Sequence, residues 1–339
     1  MNSATNKIIH VSDLCFSYGD KKILDQLSFS LEKGDIAVFL GKSGVGKTTF
    51  IKLIAGLEHP NKGSIKKFGI ALSDSDFFIP PNKRNIGVVF QEDSLFPHLS
   101  IFENIKLANK NITKKEVLEY FTIFQLNIDL NKLPHQLSGG QKQRVATIRA
   151  LAQDPDIILF DEPFSALDYH LRVKLRRHLR KVLKEKGISA IFITHDREEA
   201  LLLADKIYVM NDQRIIQHGT PQEVMENPQN TYVANFLGCG LVIPGMRLQD
   251  LYKTDLIDKS YFIAAKDLEF SNKNQEYGLS GVITEKNINA NNSYHYYFRL
   301  DEISKEFGPF TSIDNLDLGE RIVVSLPKDL EHLREIERS

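Results

Sequence analysis

What this chain of 339 residues has little of sets the first limits on its function. It holds only two cysteines, Cys15 and Cys239. They lie far apart with no metal-type spacing, so neither a disulfide framework nor a cysteine metal site is indicated. Both are expected as reduced thiols in a cytosolic protein. Net charge is also scarce, at -1, so no overall basic field draws the chain to nucleic acid or to anionic lipid. No apolar run approaches the ~20 residues of a membrane helix. The N-terminal MNSATNKIIHVSDL has no long apolar segment and is not expected to be a signal peptide. Any membrane role must therefore come through a partner. No internal repeat or low-complexity segment stands out. What remains is ordinary: 42% hydrophobic and 26% charged residues. That composition predicts a packed core, and the length suits about two domains.

Short apolar runs read as buried parallel strands: IAVFL (36–40), IGVVF (86–90), DIILF (156–160) and SAIFIT (189–194). Burial on both faces explains why they do not alternate. Helical patterns separate them, so the first part of the chain reads as α/β. Each run is followed by something polar: a glycine-rich loop from Gly41, then Gln91, Asp161-Glu162 and His195. Open parallel sheets bind ligands at the carboxyl ends of their strands, so these groups are expected along one edge. Residues 92–152 read as a mostly helical insertion, with capping-box signals at Ser100/Glu103 and Thr113/Glu116 and a Val117, Phe121, Phe124 stripe. A helix is expected over 169–186, with a Leu171, Leu175, Leu179, Val182 stripe and Gly187 as C-cap. Its basic face (Arg172, Arg176, Arg177, Arg180, Lys184) reads as solvated rather than as a nucleic-acid surface. After Gly238 the pattern turns to strands, with GVIT, SYHYYFRL and ERIVVSL and a turn at 287–292. The expected division is thus 1–238 and a small β-rich domain over 239–339.

The stretch GKSGVGKTT (41–49) fits G-x-x-x-x-G-K-[ST], between a strand and a helix, as that motif requires. Gly41, Gly44 and Gly46 let the loop Gly41-Lys42-Ser43-Gly44-Val45-Gly46 turn its N–H groups toward phosphates, and the helix N-terminus adds favourable partial charge. Lys47 is expected at the β- and γ-phosphates and Thr48, beside Thr49, at Mg²⁺. In IILFDEP, Asp161 suits the magnesium shell, and Glu162 suits a general base or an orienter of the attacking water. Adjacent residues on a strand point to opposite faces, which would send one carboxylate to the metal and the other to the water. His195 could hydrogen-bond the γ-phosphate. Gln91, a neutral amide, could bind magnesium or water without adding charge.

The helix after QLSGGQKQRVATIRALAQD opens unusually bare. A glycine in a helix interior costs ~1 kcal/mol relative to alanine, and Ser138 already supplies a good N-cap. Glycines at a helix start expose N–H groups and let an anion come close. Ser138-Gly139-Gly140 is therefore a second candidate phosphate cradle. Two cradles need two phosphate groups, or one nucleotide held between two chains. A symmetric dimer resolves this, each copy lending its helix start to the nucleotide on the other's loop.

With these residues in view, the chain resembles the ATP-binding subunits of ABC transporters. GKSGVGKT, LSGGQ (137–141), ILFDEP, SALD (165–168) and THD occur in that family's order, over about 1–235. The resemblance implies a P-loop ATPase core with a helical subdomain, and a head-to-tail homodimer enclosing two ATP molecules with Mg²⁺. It implies that Tyr18 stacks on adenine, and that Asp168 contacts the partner's loop. It implies catalytic roles for Lys47, Gln91, Glu162 and His195, metal binding by Thr48, Gln91 and Asp161, and action in trans by Ser138, Gly139, Gly140 and Gln141. The C-terminal part resembles the OB-like regulatory domain of importer ATPases for sugars, polyamines, oxyanions and ferric iron, and THDREEALLLADKIYVM and FLGCGLVIPG resemble the ferric-iron group. That implies a peripheral subunit on the cytoplasmic face of the inner membrane. Its partners would be integral membrane permease subunits and, indirectly, an extracytoplasmic solute-binding protein. The region around Gln91 and Phe96-Pro97-His98 would couple ATP to the permease. Two other readings are a soluble ATP-driven switch and a non-hydrolysing regulatory subunit. The single P-loop without a long heptad array argues against the first, and intact Lys47, Asp161 and Glu162 against the second.

Overall fold

Strands β3 (Ile36–Leu40), β7 (Ile157–Asp161) and β8 (Ser189–Thr194) are buried at every position. In this computed structural model they form the middle of a six-stranded sheet, in the order β3-β8-β7. Residues 7–91, 95–238, 240–253, 259–271, 278–288, 294–301, 306–312, 316–327 and 332–337 are described. Strands β6 (Ile86–Val89) and β9 (Lys206–Asn211) run parallel to the middle three, and β10 (Arg214–Gly219) pairs antiparallel with β9. The four expected parallel strands are present, and their carboxyl ends share one edge.

A second sheet accompanies it, which the apolar runs do not reveal. It is antiparallel, ordered β2-β1-β4-β5, from β1 (Lys7–Tyr18), β2 (Lys21–Glu32), β4 (Lys62–Lys67) and β5 (Ile70–Ser73). The long strands β1 and β2 alternate buried and exposed residues, as a sheet with one covered face must. Helix α1 (Lys47–Ala55) shares its core with both sheets. Phe29 of β2, Phe39 of β3, Phe50 of α1 and Tyr208 of β9 meet there, with Phe39 4.7 Å from Phe50 and stacked 5.0 Å from Tyr208. Aromatic clusters of this size dominate core energetics, and this one joins the strand before the glycine loop to the helix after it.

The insertion carries α2 (Ile101–Ala108), α3 (Lys114–Ile123) and α4 (Gly139–Ala152). Both expected capping boxes form, and Val117, Phe121 and Phe124 are buried. Helix α5 (Tyr169–Lys186) ends at Gly187 in the left-handed conformation. Its basic face departs from expectation. Arg176 is 1% exposed and pairs with Asp196; Arg180 and Lys184 pair with Asp205 at 2.9 and 2.6 Å. Arg176 is thus buried against acids around α6 (Arg197–Leu203) and Arg172 and Arg180 are half-buried, while Arg177 and Lys184 stay exposed as expected.

The chain divides into two units, Met1–Pro221 and Gln222–Ser339. The break falls at the start of α7 (Pro221–Glu226), earlier than the expected 238. The reason is α8 (Thr231–Leu237), whose buried Val233, Ala234 and Leu237 pack toward strands of the second unit. That unit is β-rich, as expected. Strands β11 (Gly240–Pro244), β12 (Ser260–Ala264) and β18 (Arg334–Ile336) form an antiparallel sheet, with α9 (Gly245–Tyr252) following β11. Strands β13 (Glu269–Ser271), β14 (Gly278–Ile288), β15 (Tyr294–Leu300), β16 (Glu306–Ser312) and β17 (Arg321–Ser325) form another, ordered β13-β17-β14-β15-β16. Five antiparallel strands is the strand number of an OB fold. Leu241, Ile263, Leu279, Phe298 and Val324 belong to one core fed by both sheets. Most of the expected turn at 287–292, and Cys239, lie outside the described residues; Cys15 is a free thiol.

Candidate active site

The loop between β3 and α1 takes backbone shapes that only glycine adopts readily. Gly44 and Gly46 have φ of 85° and 101°. A Cβ on Gly46 would lie 2.7 Å from the Ile23 carbonyl, and one on Gly41 2.7 Å from that of Met210. No side chain caps the start of α1, which leaves its first N–H groups for an anion. Lys47 is 6% exposed and folds its Nζ back to donate to the carbonyls of Gly41 (2.7 Å) and Lys42 (2.9 Å). Burial lowers its pKa, opposed by the nearby Glu162 and Asp161 carboxylates.

Asp161 ends β7 and is 5% exposed. Burial raises its pKa, while a hydrogen bond with Thr48 opposes that shift. Glu162 lies beyond the strand with φ 47°. The two carboxylates therefore part company through a left-handed turn rather than through strand pleating. That turn sets Glu162 Oε1 2.9 Å from His195 Nδ1. Glu162, Gln91, Lys47, Thr48, Thr49, Ser43, Gly44 and Gly46 all line one cavity of about 420 Å³. The glycine loop with the start of α1, Gln91 and Glu162, three segments separate in sequence, thus supply one pocket at the edge the parallel strands define, while Asp161 and His195 lie outside its lining.

Around His195 the chain is tied down by buried charge. Thr194 donates to Glu199 Oε2 at 2.9 Å and accepts from Asp196 N at 3.0 Å. Arg176 pairs with Asp196 and lies 3.6 Å from Glu199. Burial pushes the Glu199 carboxyl up to about 7, against the pull of Arg176. Tyr18 stands 46% exposed near the end of β1, edge-on to Phe16, and its hydroxyl donates to Glu58 at 2.8 Å.

The start of α4 does not line the 420 Å³ cavity. Ser138 caps the helix, accepting from Gln141 N while its own N–H donates to Gln141 Oε1 at 2.9 Å. Ser138 and Gly139 are exposed and Gly140 is buried. Gly139 lines a second cavity of about 340 Å³, together with Gln91, Pro97, Lys142, Gln143 and Ala166. Gln91 therefore borders both cavities. Asp168, also exposed, caps α5 by accepting from Leu171 N. Beside the second cavity, buried Asn104 holds the loop over 96–100 by donating to the carbonyls of Phe96, Leu99 and Ser100 and accepting from Phe96 N.

Sequence reasoning missed Gln143, Arg176 and Glu199. The only signal available for Arg176 and Glu199 was opposite charge on neighbouring helices, which looks identical to ordinary surface charge. Gln143 sits among the polar residues of a helix start and carries no mark of its burial.

Residues 24–165 match the ABC transporter family. The Fe(3+) ions import ATP-binding protein FbpC of Haemophilus influenzae (strain 86-028NP) is 42% identical over 254 residues, 72% of each chain. The chain belongs to the ABC transporter family, as one of its ATP-binding subunits. This ABC subunit is also 40% identical over 251 residues to the spermidine/putrescine import ATP-binding protein PotA of Acetivibrio thermocellus, covering 72% of this chain and 70% of that one. The dimeric post-hydrolysis structure of the ATP-binding cassette MJ0796 bound to ADP and Pi aligns with a TM-score of 0.56 and 29% identity. The match covers 63% of this chain and 98% of that chain. The ABC subunit is an ATPase with an α/β P-loop core and a β-rich C-terminal unit.

Proposed function

We propose that this ATPase drives import of ferric iron through a membrane permease, with two copies enclosing ATP between them. The observation that carries the chemistry is the convergence of Lys47, Thr48, Gln91 and Glu162 on one cavity, with His195 bonded to Glu162. Lys47, freed from its carbonyls, reaches the β- and γ-phosphates, and the uncapped start of α1 binds them through N–H groups. Thr48, Asp161 and Gln91 offer hard oxygen donors that suit Mg²⁺, which keeps few protein ligands beside its phosphates; the ion neutralises phosphate charge when bound. Glu162 takes the proton of the attacking water, and His195 steadies that carboxylate and the γ-phosphate. Tyr18, its hydroxyl anchored by Glu58, offers its ring face to adenine. Ser138, Gly139, Gly140 and Gln141 complete the site of the partner copy, and Asp168 meets the partner's loop. The 96–100 loop and the cavity beside Gln91 receive the permease. On this reading the subunit is peripheral, on the cytoplasmic face of the membrane, and the C-terminal unit is regulatory.

Glu162→Gln is the test of the chemistry. Turnover should fall at least about a hundredfold, the usual scale for losing a general base, while ATP binding persists and an ATP-bound dimer accumulates. Near-normal phosphate release would reject the assignment. The iron reading is supported by the FbpC likeness and rivalled by the PotA likeness at almost equal identity. Deleting the gene should abolish ferric-iron uptake and leave spermidine and putrescine uptake intact; the reverse result would assign the subunit to polyamines.

A further inference from the structure

Glu162 holds a left-handed backbone that a non-glycine residue adopts at a cost of ~1 kcal/mol or more. Something must therefore hold it. Its N–H donates to the Ile193 carbonyl at 3.0 Å. Its carbonyl accepts from Ser165 Oγ at 3.0 Å, from Ser165 N at 3.3 Å and from Gln143 Nε2 at 2.9 Å. The last of these is the only one that comes from α4, the helix opened by Ser138-Gly139-Gly140.

Gln143 is 6% exposed, and among the described residues its Oε1 has no hydrogen-bond partner. A buried acceptor left unmade costs ~1–3 kcal/mol, so packing alone would favour methionine or leucine here. The amide also borders the second cavity, with Gly139 and Gln91. We infer that Gln143 is a positioning residue for hydrolysis. Its Nε2–H fixes the Glu162 peptide, so that the carboxylate stays beside His195, and it ties that peptide to the helix bordering the second cavity. The inference rests on the role of Glu162 given above.

The test uses the full chain and four forms: Gln143→Met, Gln143→Glu, Glu162→Gln, and Gln143→Met with Glu162→Gln. Methionine keeps the length and loses the donor. Its kcat should fall about tenfold with KM for ATP within about twofold, the pattern of an interaction needed only in the transition state. Its melting temperature should hold or rise, because the unmade acceptor is gone. Glutamate keeps the shape but sets a carboxylate against the Glu162 carbonyl, and its kcat should fall further. In single-turnover assays the double variant should be no slower than Glu162→Gln, since two residues acting as one unit do not add.

A folded Gln143→Met with unchanged kcat overturns the inference, as does a rise in KM alone. So does an undiminished tenfold loss in the Glu162→Gln background, which would place Gln143 on another route. Should methionine fail to fold, wild-type kcat in the glutamate variant overturns it equally. If Glu162→Gln itself turns over normally, the role of Glu162 fails, and this inference with it. A dead Glu162→Gln beside an active Gln143→Met rejects the inference alone.

Discussion

Arg84 carries a full charge into the interior, 1% exposed, with no carboxylate paired to it among the described residues. Its guanidinium is spent on backbone: Nε donates to Ile79 O, Nη1 to Leu53 O and Ile54 O, and Nη2 to Leu72 O. Leu53 and Ile54 lie in the last turn of α1, where a helix leaves carbonyls open; Arg84 donates to both, and the Leu53 carbonyl also accepts from Gly56 N. Burial pushes its pKa down to about 10, still charged at neutral pH. Gly56 makes room for it, since a Cβ there would lie 2.4 Å from Nε. Arg84→Met should lower unfolding free energy by about 2–3 kcal/mol, because the Ile54 and Ile79 carbonyls lose their donor together, while those of Leu53 and Leu72 keep the N–H groups of Gly56 and Ile79. Chemical denaturation measures it; a loss within experimental error would show that the carbonyls find other partners.

The bare start of α4 is explained at the scale of the element. Its two glycines are not equivalent. A Cβ on Gly140 would meet Leu167 Cδ2 at 2.6 Å and Ala166 O at 3.1 Å, so its own chain requires glycine there. A Cβ on Gly139 would meet only Ala166 Cβ, at an ordinary 3.7 Å. Nothing among the described residues asks Gly139 to be bare, and the helix would prefer alanine by up to ~1 kcal/mol. Gly139→Ala should therefore leave the melting temperature of the isolated chain unchanged or raise it, while cutting ATP turnover severalfold as the methyl crowds the partner's nucleotide. Gly140→Ala should lower the melting temperature. Equal loss of stability in both would remove the distinction between an internal and an external reason for glycine.

At the scale of the whole molecule, stability should carry the mark of Glu199. Its folded pKa of about 7 stands above the ordinary 4.5, so between these values the folded chain holds a proton that the unfolded chain has released. Stability then falls as pH rises from about 4.5 to about 7, and the cost of the buried charge is complete above that range. Glu199→Gln has no such charge to bury. Its melting temperature relative to wild type should climb between about pH 5 and about pH 8; a difference independent of pH would refute the assignment. Turnover, in contrast, should depend on assembly. ATP hydrolysis per chain should rise with protein concentration until the dimer is saturated, and a solitary protomer held dilute should be inactive. A specific rate that stays constant on dilution into a monomeric regime would mean that one copy completes its own site.

The sequence alone was enough for the parallel strands, the glycine loop, the order of the motifs and the polar groups at the strand ends. Buried strands are continuous apolar runs, and phosphate loops need glycine at fixed spacing, so both are written locally. It also marked the two glycines at the start of α4 as unusual, but only the packing separates Gly140, which its own chain requires, from Gly139, which meets no close contact among the described residues. Only the tertiary structure decided the left-handed turn that parts Glu162 from Asp161. The same is true of the burial of Arg84, Arg176 and Glu199, the bond from Gln143, and the break between units at 221 rather than 238. Each of these depends on which distant side chain or carbonyl arrives within about 3 Å. A polar residue looks the same in sequence whether water or the core will receive it.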